Sequence, residues 1–211
     1  MNILKPQNKY IKELEILRID NIKTENDYKQ CCIRDEETSN IELWNIELEN
    51  SKISNVTIQK SKIENSTFID VVFENCNFSN TDFEESTFIR CEFNNCKISG
   101  CNFIENRIYN VTFVDTNACY SNFSEANIEN VLFKNTNLIN SFFQETKLKN
   151  LYLENADLSQ TQFSKTSLKG VDLSKSEIQG ISIDINDIRG ATIDKIQSLD
   201  LLYLIGVKIK N

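Results

Sequence analysis

Residues 76–95 read CNFSN-TDFEE-STFIR-CEFNN, four groups of five with Phe in the third place and a small residue in the first. The period runs from residue 41 to residue 193. Steps of five from Leu43 to Ile193 give 31 positions, and thirty of them hold Leu, Ile or Phe, with Ala118 as the exception. Twelve of the 13 Phe lie in this register. An uninterrupted repeat of this length indicates a repetitive architecture.

A period of five excludes a simple helix or strand. On an α-helix each step turns the apolar position by ~140°, so thirty steps would spread it over every face. In a flat strand an odd spacing sends successive apolar residues to opposite sides. Three extended residues followed by a two-residue corner satisfy the pattern. We therefore predict a β-solenoid whose turns stack ~4.8 Å apart.

The pentads resemble those of the pentapeptide-repeat family, whose loose consensus is a small residue, Asp or Asn, Leu or Phe, and two variable positions. Residues 76–80, 81–85 and 156–160 (ADLSQ) match it as they stand. The resemblance implies an all-β fold, a right-handed quadrilateral β-helix with one pentad per side and 20 residues per coil. Two columns of stacked rings are then predicted: Phe83, Phe103, Phe123, Phe143 and Phe163, and Phe73, Phe93, Phe113 and Phe133.

The chain is predicted to have three parts. Residues 41–193 form the β-helix, and residues 1–40 form an N-terminal cap, because an open solenoid end exposes unpaired backbone groups and apolar side chains. The stretch from Tyr10 to Asp20 suits a strand or a short helix equally. Residues 194–211 are predicted to form a C-terminal dimerisation helix and tail.

The C-terminal part loses the period of five and gains helix-forming residues, with Gly206 as a natural C-cap. Only Asp200 is charged between Leu199 and Ile205, so one apolar face can cover the last coil and a second face needs a partner. We predict a two-fold dimer. The predicted interface residues are Leu199, Leu201, Leu202, Tyr203, Leu204, Ile205, Val207 and Ile209.

Composition and charge limit the function classes. The net charge of −8 argues against direct nucleic-acid binding, and the chain contains neither a ~18-residue apolar run nor a signal-peptide pattern. A cytoplasmic protein without membrane association is predicted. No His, no phosphate-binding Gly loop and a filled interior argue against an enzyme, and no cofactor or metal is predicted.

The cysteines are predicted to be structural. Four of the seven occupy the small inward position, where a thiol packs as a small hydrophobe: Cys76, Cys91, Cys96 and Cys101. Cys32 and Cys119 are the candidates for exposure, and no disulfide is expected.

One column of the surface is acidic. Glu85, Glu105, Glu125 and Glu145 are 20 residues apart and should stack, with Glu64, Asp82 and Glu84 on the same side. Each like-charge neighbour pair costs somewhat under ~1 kcal/mol in water, with no evident gain in return. Either the four Glu are solubilising residues that are aligned by chance, or the column binds a partner. The adjacent side is basic, with Arg107, Lys147, Lys149, Lys169 and Arg189.

A narrower resemblance concerns the C-terminal stretches 176–180 (SEIQG), 187–193 (DIRGATI) and 197–207. They resemble the C-termini of Qnr-type quinolone-resistance proteins and their chromosomal relatives. This implies a dimeric, DNA-mimicking partner of DNA gyrase or topoisomerase IV and fluoroquinolone resistance. The plasmid-borne members have projecting loops, which this register lacks, so inhibition of the enzyme is the alternative to protection. A scaffolding solenoid that binds another protein through its flat sides is the alternative function.

Overall fold

The computed structural model describes residues 3–7 and 14–208. The chain is a parallel β-solenoid in which residues 20 positions apart pair over most of its length, as Phe68 does with Phe88 and Phe88 with Ile108. Twenty residues contain four pentads, so each turn has four sides. The predicted fold class, with its short C-terminal helix, is confirmed. We number the sides by their apolar columns: first Leu43 and Ile63, second Leu48 and Phe68, third Ile53 and Phe73, fourth Ile58 and Phe78.

The strands are short, because each side must end at a corner. They span Glu15–Ile16, Asp27–Lys29, Cys31–Arg34, Glu37–Ser39, Glu42–Trp44, Glu47–Glu49, Lys52–Ser54, Thr57–Gln59, Lys62–Glu64, Thr67–Ile69, Val72–Glu74, Thr87–Ile89, Glu92–Asn94, Arg107–Tyr109, Thr112–Val114, Asn127–Lys134 and Lys147–Glu154. From residue 77 onward, isolated bridges replace strands on the first and fourth sides. A 3₁₀ helix covers Ile19–Asn21, an α-helix Gln197–Leu201 and a second 3₁₀ helix Leu202–Ile205.

The interior is filled by the predicted columns of aromatic rings. The rings of Phe103 and Phe123 are stacked with centroids 4.9 Å apart and planes 2° apart, and those of Phe93 and Phe113 are 4.8 Å apart. The twelve in-register Phe are at most 3% exposed. Each such side chain contributes ~1.5–3 kcal/mol to folding before its loss of entropy is subtracted. Both predicted Phe columns are confirmed.

The corners share one backbone conformation. Every fifth residue from Glu25 to Lys165 has a positive φ, between 50° and 62° for the non-glycine residues. Asn is common there because it visits the left-handed region more readily than most residues. At the corner between the third and fourth sides, Asn75 Nδ2 donates to Asn55 Oδ1 at 3.1 Å, and Asn95 Nδ2 to Asn75 Oδ1 at 2.8 Å. These contacts form an Asn ladder along this corner.

The inward cysteines are buried as predicted: Cys76, Cys91, Cys96 and Cys101. Burial raises the pKa of the Cys91 and Cys101 thiols to about 12, so both stay protonated at neutral pH. Cys32 and Cys119 are half-buried.

The coils begin before the predicted boundary at residue 41. Asp27–Lys29 pairs with Glu47–Glu49, and Glu37–Ser39 pairs with Thr57–Gln59. The register continues through Tyr28 and Thr38, which a count of Leu, Ile and Phe overlooks. The cap is shorter than predicted: Ile19 is buried, and Leu17, Ile22 and Tyr28 pack on the core beside it.

Residues 3–7 do not cover the end of the solenoid but lie along its side. The Leu4 amide donates to Asn110 Oδ1 at 3.2 Å, and the Gln7 amide donates to Asp70 Oδ1 at 3.0 Å. Asp70 is buried and also receives two hydrogen bonds from Arg90, of 2.7 and 2.6 Å. This N-terminal segment therefore fastens to the corner between the second and third sides.

Candidate protein interface at the acidic corner

Four glutamates occupy successive turns of the corner between the first and second sides. Glu85, Glu105, Glu125 and Glu145 have φ values of 56°, 56°, 59° and 54°, and all four side chains are exposed. Backbone hydrogen bonds between turns hold these residues in place. The amides of Glu85 and Glu125 donate to carbonyls of the next turn at 3.0 and 2.8 Å. The carboxylates therefore project from a fixed row at the inter-turn spacing. We call these four residues the acidic corner.

The charges beside the acidic corner interact with it. The pKa of Glu84 is raised above its ordinary value, first by partial burial and then by the charges of Asp82, Glu64, Glu85 and Glu105. This shift identifies a group of carboxylates close enough to repel one another. The predicted clustering of the acidic residues is therefore present in the structure, while their role in binding stays a prediction.

Two of the flanking residues also have structural roles. Asp82 Oδ1 accepts the Glu84 amide at 3.0 Å, which fixes the start of the corner. Asn102 does the same for Ile104 one turn later, at 3.0 Å. Asn122 makes the same contact with the Ser124 amide at 3.0 Å, so this role explains Asp or Asn in these three turns. The Glu64 carboxylate lies 3.2 Å from the Lys62 ammonium and is partly neutralised.

Basic residues limit the acidic corner at its C-terminal end. The Lys165 ammonium lies 2.6 Å from the Glu145 carboxylate, and both side chains are more than half exposed. On the second side, Lys149 pairs with Glu129 at 2.6 Å. Such exposed pairs contribute at most ~1 kcal/mol each. The strongest run of unpaired carboxylates is thus Glu85, Glu105 and Glu125, for which the described residues provide no ion pair.

The C-terminal helix presents apolar side chains to two surroundings. Leu201 and Leu204 pack against the core, whereas Leu199 is 56% and Tyr203 48% exposed. Ile196 and Val207 are exposed as well, and Leu202 is partly buried. Of the remaining predicted interface residues, Ile209 and the side chain of Ile205 lie outside the described residues.

Polar contacts that the sequence pattern did not reveal hold this helix in place. Gln197 is buried, and its Nε2 donates to the carbonyls of Leu173 at 2.8 Å and Ser176 at 2.6 Å. Asp194 Oδ1 accepts the amides of Ile196 and Gln197 and so caps the helix. The Tyr203 hydroxyl donates to the Ile181 carbonyl. Gly206 ends the segment in the left-handed conformation, as predicted.

Sequence comparison decides the family. The profile described as "Pentapeptide repeat region" matches residues 86–154, and that described as "Pentapeptide repeats (8 copies)" matches residues 66–103 and 143–181. The chain belongs to the pentapeptide-repeat family. Among curated protein sequences, no significant match to this pentapeptide-repeat protein was found.

Solved structures resemble the pentapeptide-repeat protein at low identity. HetL from the cyanobacterium Nostoc sp. strain PCC 7120, described as involved in heterocyst differentiation regulation, is 14% identical, with a TM-score of 0.56 over 79% of this chain and 86% of its own. This likeness concerns the fold alone. A trypsin-treated variant of QnrB1, a plasmid-mediated fluoroquinolone resistance protein, is 17% identical, with a TM-score of 0.34 over 83% of this chain and 100% of its own.

The described residues of this pentapeptide-repeat protein offer no metal or membrane site. Within residues 3–7 and 14–208, no three His, Cys, Asp or Glu side chains are grouped to hold a metal ion. No helix in these same ranges has the length and apolar character needed to cross a membrane.

Proposed function

We propose that this protein is a non-enzymatic, DNA-mimicking partner of a cytoplasmic type II topoisomerase, DNA gyrase or topoisomerase IV, whose activity it modulates. The observation that carries the proposal is the acidic corner: four exposed glutamates in successive turns, each in the left-handed conformation. The resemblance of the C-terminal sequence to Qnr-type proteins supports the choice of target. Members of the pentapeptide-repeat fold are generally structural or protein-binding.

The choice of Glu at these corners is unfavourable for folding. The left-handed conformation costs an L-residue about 1–2 kcal/mol, less for Asn and nothing comparable for Gly. Repulsion between neighbouring carboxylates at the inter-turn spacing adds to that cost. Four glutamates that carry both costs in successive turns are better explained by binding than by stability.

The geometry of the acidic corner is complementary to a partner surface that normally binds duplex DNA. Duplex DNA carries one charge per ~1.7 Å of axis, and its partners provide basic grooves. Four carboxylates at ~4.8 Å extend over ~14 Å, and Glu64, Asp82 and Glu84 increase the charge density beside them. Because the solenoid holds them in place, binding requires little ordering of the scaffold.

A dimer extends the acidic surface. We propose that two copies associate through the exposed apolar residues of the C-terminal helix, Ile196, Leu199, Tyr203 and Val207, with Leu202 at their edge. Two rods joined in this way double the charged length and have the two-fold symmetry of a topoisomerase DNA gate. The partner-binding residues in this proposal are Glu64, Asp82, Glu84, Glu85, Glu105, Glu125 and Glu145.

The first test replaces the acidic corner by Gln, as E85Q/E105Q/E125Q/E145Q. We expect binding to gyrase to weaken at least tenfold, about 1.4 kcal/mol, and modulation of supercoiling to be lost, because the attraction rests on charge. Raising the salt concentration should weaken wild-type binding and affect the variant less.

The matched control removes four carboxylates elsewhere, as E15Q/E37Q/E92Q/E177Q. It changes the net charge equally and should retain binding within a factor of about two or three. Equal loss in both variants would show that net charge alone drives binding. Full activity of the corner variant would exclude this surface. Supercoiling with and without a fluoroquinolone then separates inhibition from drug protection.

The dimer is tested by I196D/L199D, which places two carboxylates on the exposed C-terminal surface. We expect a monomer at micromolar concentration by analytical ultracentrifugation. The control W44D/Y120D alters two exposed apolar residues on the solenoid sides and should remain dimeric. A dimer that survives the C-terminal change would place the interface elsewhere.

A further inference from the structure

The stack of turns opens between Lys147–Glu154 and residues 167–174. Within these fully described segments, no backbone hydrogen bond joins the two turns. The opening closes at both ends: the Thr146 amide donates to Thr166 Oγ1 at 2.9 Å, and the Asn155 amide to the Lys175 carbonyl at 3.0 Å. The second and third sides therefore contain an exposed strand edge within the body of the solenoid.

The backbone groups freed by this opening can be identified from a closed turn. There, the apolar residue and the corner residue donate their amides to the next turn, as Phe83 does to Asn102 at 2.8 Å and Glu85 to Ile104 at 3.0 Å. The equivalent donors on the open edge are Leu148, Asn150 and Leu153, and the described part of the next turn offers them no carbonyl. An unpaired edge of this kind is a template for another strand.

The opening forms a cleft of about 550 Å³ lined by residues 148–154, 169–172 and Lys175, which include Lys149 and Lys169. A second cleft of about 480 Å³ continues it around the second side, between Glu145–Leu148 and Lys165–Ser167. Leu148 is partly exposed here, whereas Ile128 and Leu168 in the same column are fully buried. Clefts of this size accept ligands and short peptide segments.

A larger side chain lies at the centre of the opening. The small inward position of the third side holds Val131 in the preceding turn and Val171 in the next, but Leu151 in between. The fourth side changes from a strand at Thr57–Gln59 to an isolated bridge at Asn77, and the small residues Val56 and Cys76 are stacked there. The backbone ladder stays closed at this point, with the Ile58 amide donating to the Asn77 carbonyl at 2.8 Å. An added methylene in a packed column forces the backbone apart.

The charges around the cleft indicate its occupant. Lys147, Lys169 and Lys175 surround the opening and form no ion pair among the described residues, and Asp172 is the one carboxylate of the lining that is also in no ion pair, so the unpaired charges are mainly positive. Lys149 and Glu154 are already paired, with Glu129 and Lys134. A strand edge bordered by unpaired lysines complements an extended segment that carries carboxylates.

We propose that this cleft binds an acidic, extended peptide segment of a partner protein by β-augmentation. The segment pairs with the amides of Leu148, Asn150 and Leu153, while its carboxylates meet Lys147, Lys169 and Lys175. This site adjoins the acidic corner at Glu145, which lines the second cleft, but its open strand edge and its lysines lie on the second and third sides. The proposal does not depend on a topoisomerase target.

The probe is the fluorescent peptide acetyl-(Glu-Val)₄-amide, whose alternation places all carboxylates on one face of a strand. We expect measurable binding by fluorescence anisotropy and slowed amide exchange at Leu148, Asn150 and Leu153. K147Q/K169Q/K175Q should weaken binding at least tenfold. The control K23Q/K60Q/K97Q removes three lysines elsewhere and should bind as the wild type does.

Two analogues separate strand pairing from simple charge attraction. One carries N-methyl groups on the four Val nitrogens and the other on the four Glu nitrogens. Because a strand directs alternate amides to opposite edges, one analogue should lose binding at least tenfold and the other retain it. Equal binding of both analogues, unchanged binding by the lysine variant, or equal affinity for acetyl-(Lys-Val)₄-amide would overturn the proposal. Preference for a duplex DNA competitor over the peptide at this cleft would overturn it too.

Discussion

Two corners of the solenoid have the same backbone and different side chains. Between the third and fourth sides, Asn55, Asn75 and Asn95 have φ values of 52–54° and form a hydrogen-bonded ladder. Between the first and second sides, the acidic corner has φ values of 54–59° and carries like charges. The first arrangement favours folding through every contact. The second adds like charges instead, so the comparison shows what the side chains contribute at one backbone geometry.

The largest effect is expected from making the two corners alike. In E85N/E105N/E125N/E145N, each position gains a residue suited to the left-handed region, repulsion disappears, and a second Asn ladder can form. We expect stability to rise by about 2–4 kcal/mol, and Tm by roughly 5–15 °C in thermal melts. Topoisomerase binding should fall together with that gain. An unchanged Tm would mean that the acidic corner carries no folding cost.

A smaller effect is expected from the reverse change at one position. Asn75→Glu loses the side-chain hydrogen bonds to Asn55 and Asn95 and places a charge in the left-handed region. We expect a loss of about 1–2 kcal/mol in chemical denaturation. The control Asn94→Glu adds the same charge at an outward strand position and should change stability by less than about 0.5 kcal/mol. Similar losses in both variants would attribute the effect to charge instead of corner geometry.

The smallest effect concerns how folding stability depends on pH at Glu84, beside the acidic corner. Because the pKa of Glu84 is raised on folding, the folded state holds this proton more tightly than the unfolded state. The charged form therefore disfavours folding at neutral pH, and this penalty disappears as the pH falls through the raised pKa. We expect Glu84→Gln to raise Tm by about 1 °C at pH 7 and not at pH 3. A difference that is constant with pH would contradict this explanation.

The sequence determined the fold because the repeated positions are also the buried ones. Phe103 and Phe123 could be placed in one column because the resemblance to the pentapeptide-repeat family implies 20 residues per coil. The position of the acidic corner followed from the same count. Its left-handed backbone did not, because a five-residue period specifies a corner but not its dihedral angles.

Three features lay beyond sequence reasoning for a common physical reason: each depends on contacts between residues that the period treats as interchangeable. Leu151 satisfies the apolar pattern as Val131 and Val171 do, and nothing in that pattern reveals that the backbone ladder opens beside it. Gln197 resembles any polar helix residue until its amide reaches the carbonyl of Leu173. The Asp70–Arg90 pair falls at corner positions where most residues face solvent.

The N-terminal segment has a consequence for how the chain folds. Contacts between turns join residues about 20 positions apart, so loop closure is cheap and folding can spread from any turn to its neighbours. The contacts of Leu4 with Asn110 and Gln7 with Asp70 span 106 and 63 positions instead. They cannot form until the turns around Asp70 and Asn110 are wound. Docking of residues 3–7 is therefore a late event that reports completion of the central turns, and a fluorophore at the N-terminus should respond after the main refolding phase.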